Sequence, residues 1–141
     1  MAKIVYNSFL ADVFAGNCST SHTYKGILVG AGYTQNRATH TKASDVTSEI
    51  SGTGYTAGGN TVTLSFSVNN TTNIGTLTIG PTTWPNSSLT ARKMVVKRAR
   101  GGPTSADELV CCIDNDIDVT SSNGTLTFPG ATWTIPLPAP V

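Results

Sequence analysis

A chain of 141 residues, 38% hydrophobic and only 12% charged with a formal charge of +1, has the length for one domain with a self-sustaining core. That charge supplies no bulk attraction to nucleic acid or to an anionic membrane, and without a run of about 18 apolar residues no membrane-spanning helix is expected. The 23 Thr, 13 Ser and 10 Asn favour strands and turns over long helices, and they coat the surface with neutral groups that desolvate more cheaply than ions.

Near the start, Tyr6, Phe9, Leu10, Val13 and Phe14 recur at helical spacing, which predicts one helix over residues 3–15, ended by Gly16 and Asn17. Its apolar stripe is expected to cover a sheet or to dock as a terminal arm on a neighbouring subunit, which makes Tyr6 and Phe9 candidate interface residues. The segment lacks a small-residue cleavage pattern, so no secretory signal is expected. Residues 24–29 read as a strand closed by Gly30 and Gly32, and residues 33–50 form a long polar excursion. Ser44 there is a candidate cap for one helical turn, with Val46 and Ile50 turned inward.

The run Ser51-Gly52-Thr53-Gly54-Tyr55-Thr56-Ala57-Gly58-Gly59 places four glycines around one aromatic. It contains no lysine and no strand-turn-helix context, so it is read as a demand on backbone path rather than as a phosphate loop. Residues 61–68 follow as a strand with Val62, Leu64, Phe66 and Val68 on one face, and the turn at 69–73 returns the chain through a strand at 76–79. Pro81 and Pro85 keep Trp84 out of a central strand, leaving it to plug the end of the core or to lie in a contact surface. Strands are expected at 89–97, 109–113, 124–128 and 132–137, with a proline-rich tail at 136–141. About seven strands separated by Gly, Pro and Asn turns predict a mainly β fold, a β-sandwich or partly open β-barrel with one N-terminal helix.

Candidates for chemistry are few. Cys18, Cys111 and Cys112 cannot form an even disulfide framework, and two adjacent cysteines on a strand point to opposite faces, so buried thiols are expected. His22 and His40 lie in polar segments without partners at zinc-ligand spacing, and the proximity of Cys18 to His22 lacks a third, orienting group. Asp114, Asp116 and Asp118 alternate, which on an extended strand puts three carboxylates on one side. The run lacks the central glycine and terminal glutamate of a calcium loop. The cationic counterpart is Arg92, Lys93, Lys97, Arg98 and Arg100, without the interleaved aromatics of a nucleic-acid surface. Ion pairing between subunits, using Arg92, Arg98, Arg100, Asp114 and Asp116, is the expected use of these charges. No catalytic, cofactor-binding or metal-binding residue is assigned.

At the glycine run the chain resembles a family of small structural proteins of tailed bacteriophages. The likeness begins at Ile4-Val5-Tyr6-Asn7-Ser8-Phe9 and Tyr33-Thr34-Gln35-Asn36. It is most specific over Thr39-His40 and from Ser44-Asp45-Val46 through Glu49 to Gly59. Trp84-Pro85-Asn86-Ser87, Thr90-Ala91-Arg92, Ile113-Asp114 and Ser122-Asn123-Gly124-Thr125 follow in the same order, so nearly the whole chain is covered. The resemblance implies a non-enzymatic virion protein, assembled in the host cytoplasm, that decorates or cements the capsid. Its partners would be the major capsid protein or other virion proteins and further copies of itself, without nucleic acid, membrane or cofactor. A tail or neck adaptor and a carbohydrate- or receptor-binding module are the alternatives, the last expected to display Trp84, Trp133, Tyr33 or Tyr55. The basic stretch at 92–100, the Cys111-Cys112 pair and the proline-rich end depart from the family pattern.

Overall fold

The structure is a computed structural model and describes residues 2–138. Ten strands and one α-helix are present among them: β1 (Ala2–Val5), α1 (Asn7–Phe14), β2 (Tyr24–Val29), β3 (Asn60–Val62), β4 (Leu64–Asn69), β5 (Ile74–Ile79), β6 (Thr82–Ser87), β7 (Thr90–Arg98), β8 (Leu109–Thr120), β9 (Gly124–Phe128) and β10 (Ala131–Pro136). They form three antiparallel sheets, ordered β1-β8-β7-β2-β3, β10-β5-β4 and β6-β9. The two smaller sheets pack on one face of the large one as a sandwich, and no sheet closes into a barrel. Residues 139–141 of the expected tail lie outside the described residues.

The large sheet is buried on both faces, which explains why its central strands read as continuous apolar runs rather than alternating ones. On the sandwich side, Leu28, Met94, Val96, Val110 and Cys111 meet Leu77, Ile79, Trp84, Leu126 and Phe128 of the smaller sheets. On the other side, Ile27, Val29, Val95, Leu109 and Cys112 meet Tyr6, Tyr33 and Ala43, so the polar excursion forms a second cover. The adjacent cysteines point to opposite faces as expected, and Cys18, Cys111 and Cys112 are all buried free thiols. Within the cover, Tyr33 Oη hydrogen-bonds with Tyr6 Oη at 2.7 Å and with His40 Nδ1 at 2.9 Å.

Three expectations are corrected. The helix begins after Tyr6 instead of at residue 3: the β-branched Ile4 and Val5 pair with Cys112 and Cys111 at the sheet edge, and Tyr6 donates its N–H to Val110 O. The single strand expected at 61–68 is two, because the chain changes sheets at Thr63, with β3 joined to β2 and β4 joined to β5. The turn at residues 43–45 is a single 3-10 turn with Lys42, not Ser44, at the N-cap position. There the Asp45 carboxylate accepts the Thr41 and Lys42 N–H groups.

The glycine run patches the place where β3 stops pairing. β2 loses that neighbour after Gly26, and Tyr55 Oη then accepts the Leu28 N–H at 3.1 Å while donating to Glu49 Oε1 at 2.7 Å. Glu49 also accepts the Gly58 N–H at 2.7 Å, closing the loop on itself. Gly59 has φ +79°, and a Cβ there would lie 1.8 Å from the Gly26 carbonyl oxygen, so only glycine fits where the run rejoins the sheet.

Candidate interaction surface

The helix α1 turns only part of its stripe inward. Phe9 is buried, whereas Leu10 is 57% and Phe14 85% exposed. The expected stripe was too wide for an eight-residue helix lying across one end of a sandwich: only one position of α1 reaches the core. Opposite this helix lies the apolar face of β4, β5 and β10, where Phe66, Ile135 and Leu137 are also partly exposed. Between them runs a groove of about 450 Å³, floored by Cys18, Tyr24 and Leu77 and walled by Leu10, Val13, Phe14, Leu64 and Phe66. Among the described residues no charged side chain lines it. The wall is shaped as well as apolar: the Phe66 ring lies over Gly75, where a Cβ would stand 2.6 Å from Phe66 Cζ.

A second depression, about 510 Å³, sits on the other cover of the large sheet and contains Lys25, Glu49, Lys97 and Asp107. Its ions are largely committed to the fold. Lys97 Nζ bonds Asp107 Oδ2 at 2.8 Å, both side chains being nearly inaccessible, and Glu49 holds Tyr55 and Gly58. Asp107 Oδ1 further accepts the Arg100 N–H. Nothing in this arrangement pairs a nucleophile with a base.

The eight candidate interface residues do not come together as one surface. Tyr6, Phe9 and Trp84 are buried within the chain, Trp84 completely, opposite Leu126 in the two-stranded sheet. Trp84 therefore plugs the core and is not a contact residue. Within the chain, four of the five cations of the basic stretch hold an acidic partner, and the fifth, Arg98, holds a carbonyl. Arg92 pairs with Asp118 at 2.9 Å, Lys93 with Asp114 at 3.6 Å, and Arg98 donates to the Asn17 carbonyl. Arg100 grips Glu108 through Nε and Nη2. Burial raises the Glu108 carboxyl, but the Arg100 hydrogen bonds, with Lys42 nearby, more than reverse this and leave it below its ordinary value.

The three aspartates do not share one side of an extended strand. Ala91 stands opposite Val119 and Lys93 opposite Asp114, so residues 115–118 bulge out against Arg92 alone, with Asp116 in left-handed backbone at φ +67°. Asp114 and Asp118 turn to separate cations, and Asp114 Oδ1 accepts the Asp116 N–H. Among the described residues no group of three His, Cys, Asp or Glu side chains is placed to hold a metal ion. Among the described residues no helix is long and apolar enough to cross a membrane. His22 serves locally by accepting the Ser19 N–H on Nδ1.

Sequence reasoning missed Asp107 and Glu108 as the partners of the basic stretch. The signal was present: a hairpin through Arg100-Gly101-Gly102-Pro103 returns an acidic pair beside 97–100. It also missed the groove: Leu64, Phe66 and Val68 share one face as expected, but only the Leu64 end of that face packs against the core, and Phe66 and Val68 overhang it half exposed. Comparison of the chain with protein-family models, with curated proteins and with solved structures finds no match in any of the three.

Proposed function

We propose that this chain is a non-enzymatic structural protein of a tailed-bacteriophage virion, decorating or cementing the capsid shell by inserting an apolar segment of a shell protein into the α1/β4-β5-β10 groove. The observation that carries the reading is the groove itself: an uncharged, aromatic-walled channel whose rim residues Leu10 and Phe14 remain exposed. Exposed apolar patches of this kind mark contact sites, and many equivalent contacts on a repeating lattice convert modest single affinities into firm attachment. The charges compete less for a partner, since four of the five cations of the basic stretch already hold an acidic residue within the chain. A glycan platform is poorly served, because Trp84 and Tyr33 are buried.

The test is incorporation into virions. L10S/F14S alters two exposed side chains, so the isolated protein should keep its melting temperature while its copy number in purified particles falls at least tenfold. Full incorporation of the variant would refute the groove as the docking site. A lattice-like copy number of the unaltered chain supports the capsid position, whereas a low, axial number transfers the same groove to a neck or tail partner.

A further inference from the structure

The outer edge of β4 is built to pair with itself. Gly80 donates its N–H to Thr63 O at 3.0 Å, and these two residues continue the β4–β5 register by one step beyond Leu64↔Ile79. Leu137 likewise donates to Asn73 O, continuing the β10–β5 register beyond Pro136↔Ile74. Because bonded and non-bonded pairs alternate in an antiparallel ladder, Ser65, Ser67 and Asn69 direct their main-chain groups to β5. Leu64, Phe66 and Val68 therefore direct theirs outward, and among the described residues no backbone group accepts or donates to them there.

This edge also lacks the protections seen on others. Leu64-Ser65-Phe66-Ser67-Val68-Asn69 contains neither charge nor proline, whereas β10 carries Pro136, β6 carries Pro85, β1 carries Lys3 and β3 spans three residues. Phe66 and Val68 stand 46% and 47% exposed beside it.

We infer that β4 pairs antiparallel with β4 of a second copy about a two-fold axis through Phe66. The outward residues are themselves symmetric about that point. Leu64 meets Val68 of the second copy, Phe66 meets Phe66, and Val68 meets Leu64, each pair exchanging both N–H···O bonds. A one-residue slip would set outward groups against inward ones, so the spacing selects this register. The result is a six-stranded sheet whose two apolar faces are continuous, with the Phe66 rings, each already seated over Gly75, brought together across the strands. A second copy is the occupant favoured because the edge complements itself in hydrogen bonding, side-chain size and lack of charge. The pairing does not rest on the virion reading, since it requires only the isolated chain.

Sedimentation of the purified full-length chain at high micromolar concentration tests it, with twice the monomer mass expected. Val68→Pro removes an outward N–H and blocks the edge while sparing every bond to β5, so the variant should sediment as a folded monomer with an unchanged circular-dichroism spectrum. Should that variant fail to fold, cysteine cross-linking decides. In this register Ser65 of one copy faces Ser67 of the other, so oxidised S65C/S67C should form a covalent dimer and S65C or S67C alone should not. A monomeric unaltered chain, a dimer that persists in folded Val68→Pro, or no cross-link in S65C/S67C would overturn the proposal. A dimer absent from virions would instead refute the function and leave the pairing standing.

Discussion

Tyr55→Phe isolates one hydroxyl that stands in for a missing strand. In the folded chain it accepts the N–H of Leu28, a fully buried residue, at 3.1 Å and donates to Glu49 at 2.7 Å. The phenylalanine ring would keep the contact with Trp84, whose centroid lies 6.3 Å away, so packing changes little. What is lost is a partner for a strand donor, with a cost of about 1–3 kcal/mol for leaving such a group unsatisfied. The lost bond to exposed Glu49 adds a smaller amount, because water replaces it. A total near 2 kcal/mol lowers the melting temperature of a domain this size by roughly 6–10 °C. Differential scanning calorimetry measures this directly. A double-mutant cycle with Glu49→Ala should be non-additive by about 0.5–1 kcal/mol, because both changes break the same bridge. A melting temperature within about 1 °C of the unaltered protein would refute the claim that Tyr55 completes the β2 ladder.

The two glycines ending the same run should respond unequally. Gly58→Ala, with φ +94° and open space around the new methyl, should cost about 1 kcal/mol of backbone strain, whereas Gly59→Ala meets the Gly26 carbonyl and should cost about 3 kcal/mol or more. Equal shifts in urea midpoint would contradict the close approach. Burial pushes the Cys18 thiol up to about 11 and Cys112 to about 12, and raises Cys111 well above its usual value. A thiol reagent at mildly alkaline pH should therefore label none of the three until denaturant is added; rapid native labelling would show the cysteine environment to be wrong. The Glu108 carboxyl titrates lower in the folded chain than the 4.5 of an ordinary glutamate, so its contribution is present above that value and is lost as pH falls through the folded pKa. Arg100→Gln should flatten the fall in melting temperature between about pH 5 and pH 3, and an unchanged slope would assign the acid sensitivity elsewhere.

The fold class was legible because turns punctuate the chain at short intervals and β7, β9 and β10 sit close to their expected positions, whereas β8 starts at Leu109 as expected but runs on through a bulge to Thr120. The two-sided burial of the large sheet was not. A segment as polar as residues 33–50 covers a core face with few apolar side chains, chiefly Tyr33 and Ala43, and its polar groups bond partly among themselves and partly to Lys93, Tyr55 and the neighbouring backbone. No hydrophobic period announces such a cover. The switch of sheets at Thr63 was equally hidden, since Val62, Leu64, Phe66 and Val68 keep strict alternation across a change of partner strand. Alternation records which side chains share a face; it carries no information on whether another layer lies against that face.

That distinction bears on the surface. An apolar strand face in a sequence is ordinarily read as core, and a basic run as something awaiting a partner. Here the assignments are exchanged. Lys93 and Lys97 are among the buried residues, held by Asp114, Tyr33 O and Asp107, while Phe66, Val68 and Phe14 stay exposed to solvent. Desolvating a charged group costs several kcal/mol unless it is paired, so Arg92, Lys93, Lys97 and Arg100, paired within the chain, can be covered by protein at less electrostatic cost than free cations. The apolar face of β4-β5-β10 then supplies the attraction and the uncharged Thr and Ser on the reverse face keep the sheet soluble until it is covered. Replacing Phe66 by Lys should reverse that logic at one position: the free chain should become more soluble, and every contact made through the β4 face should weaken together.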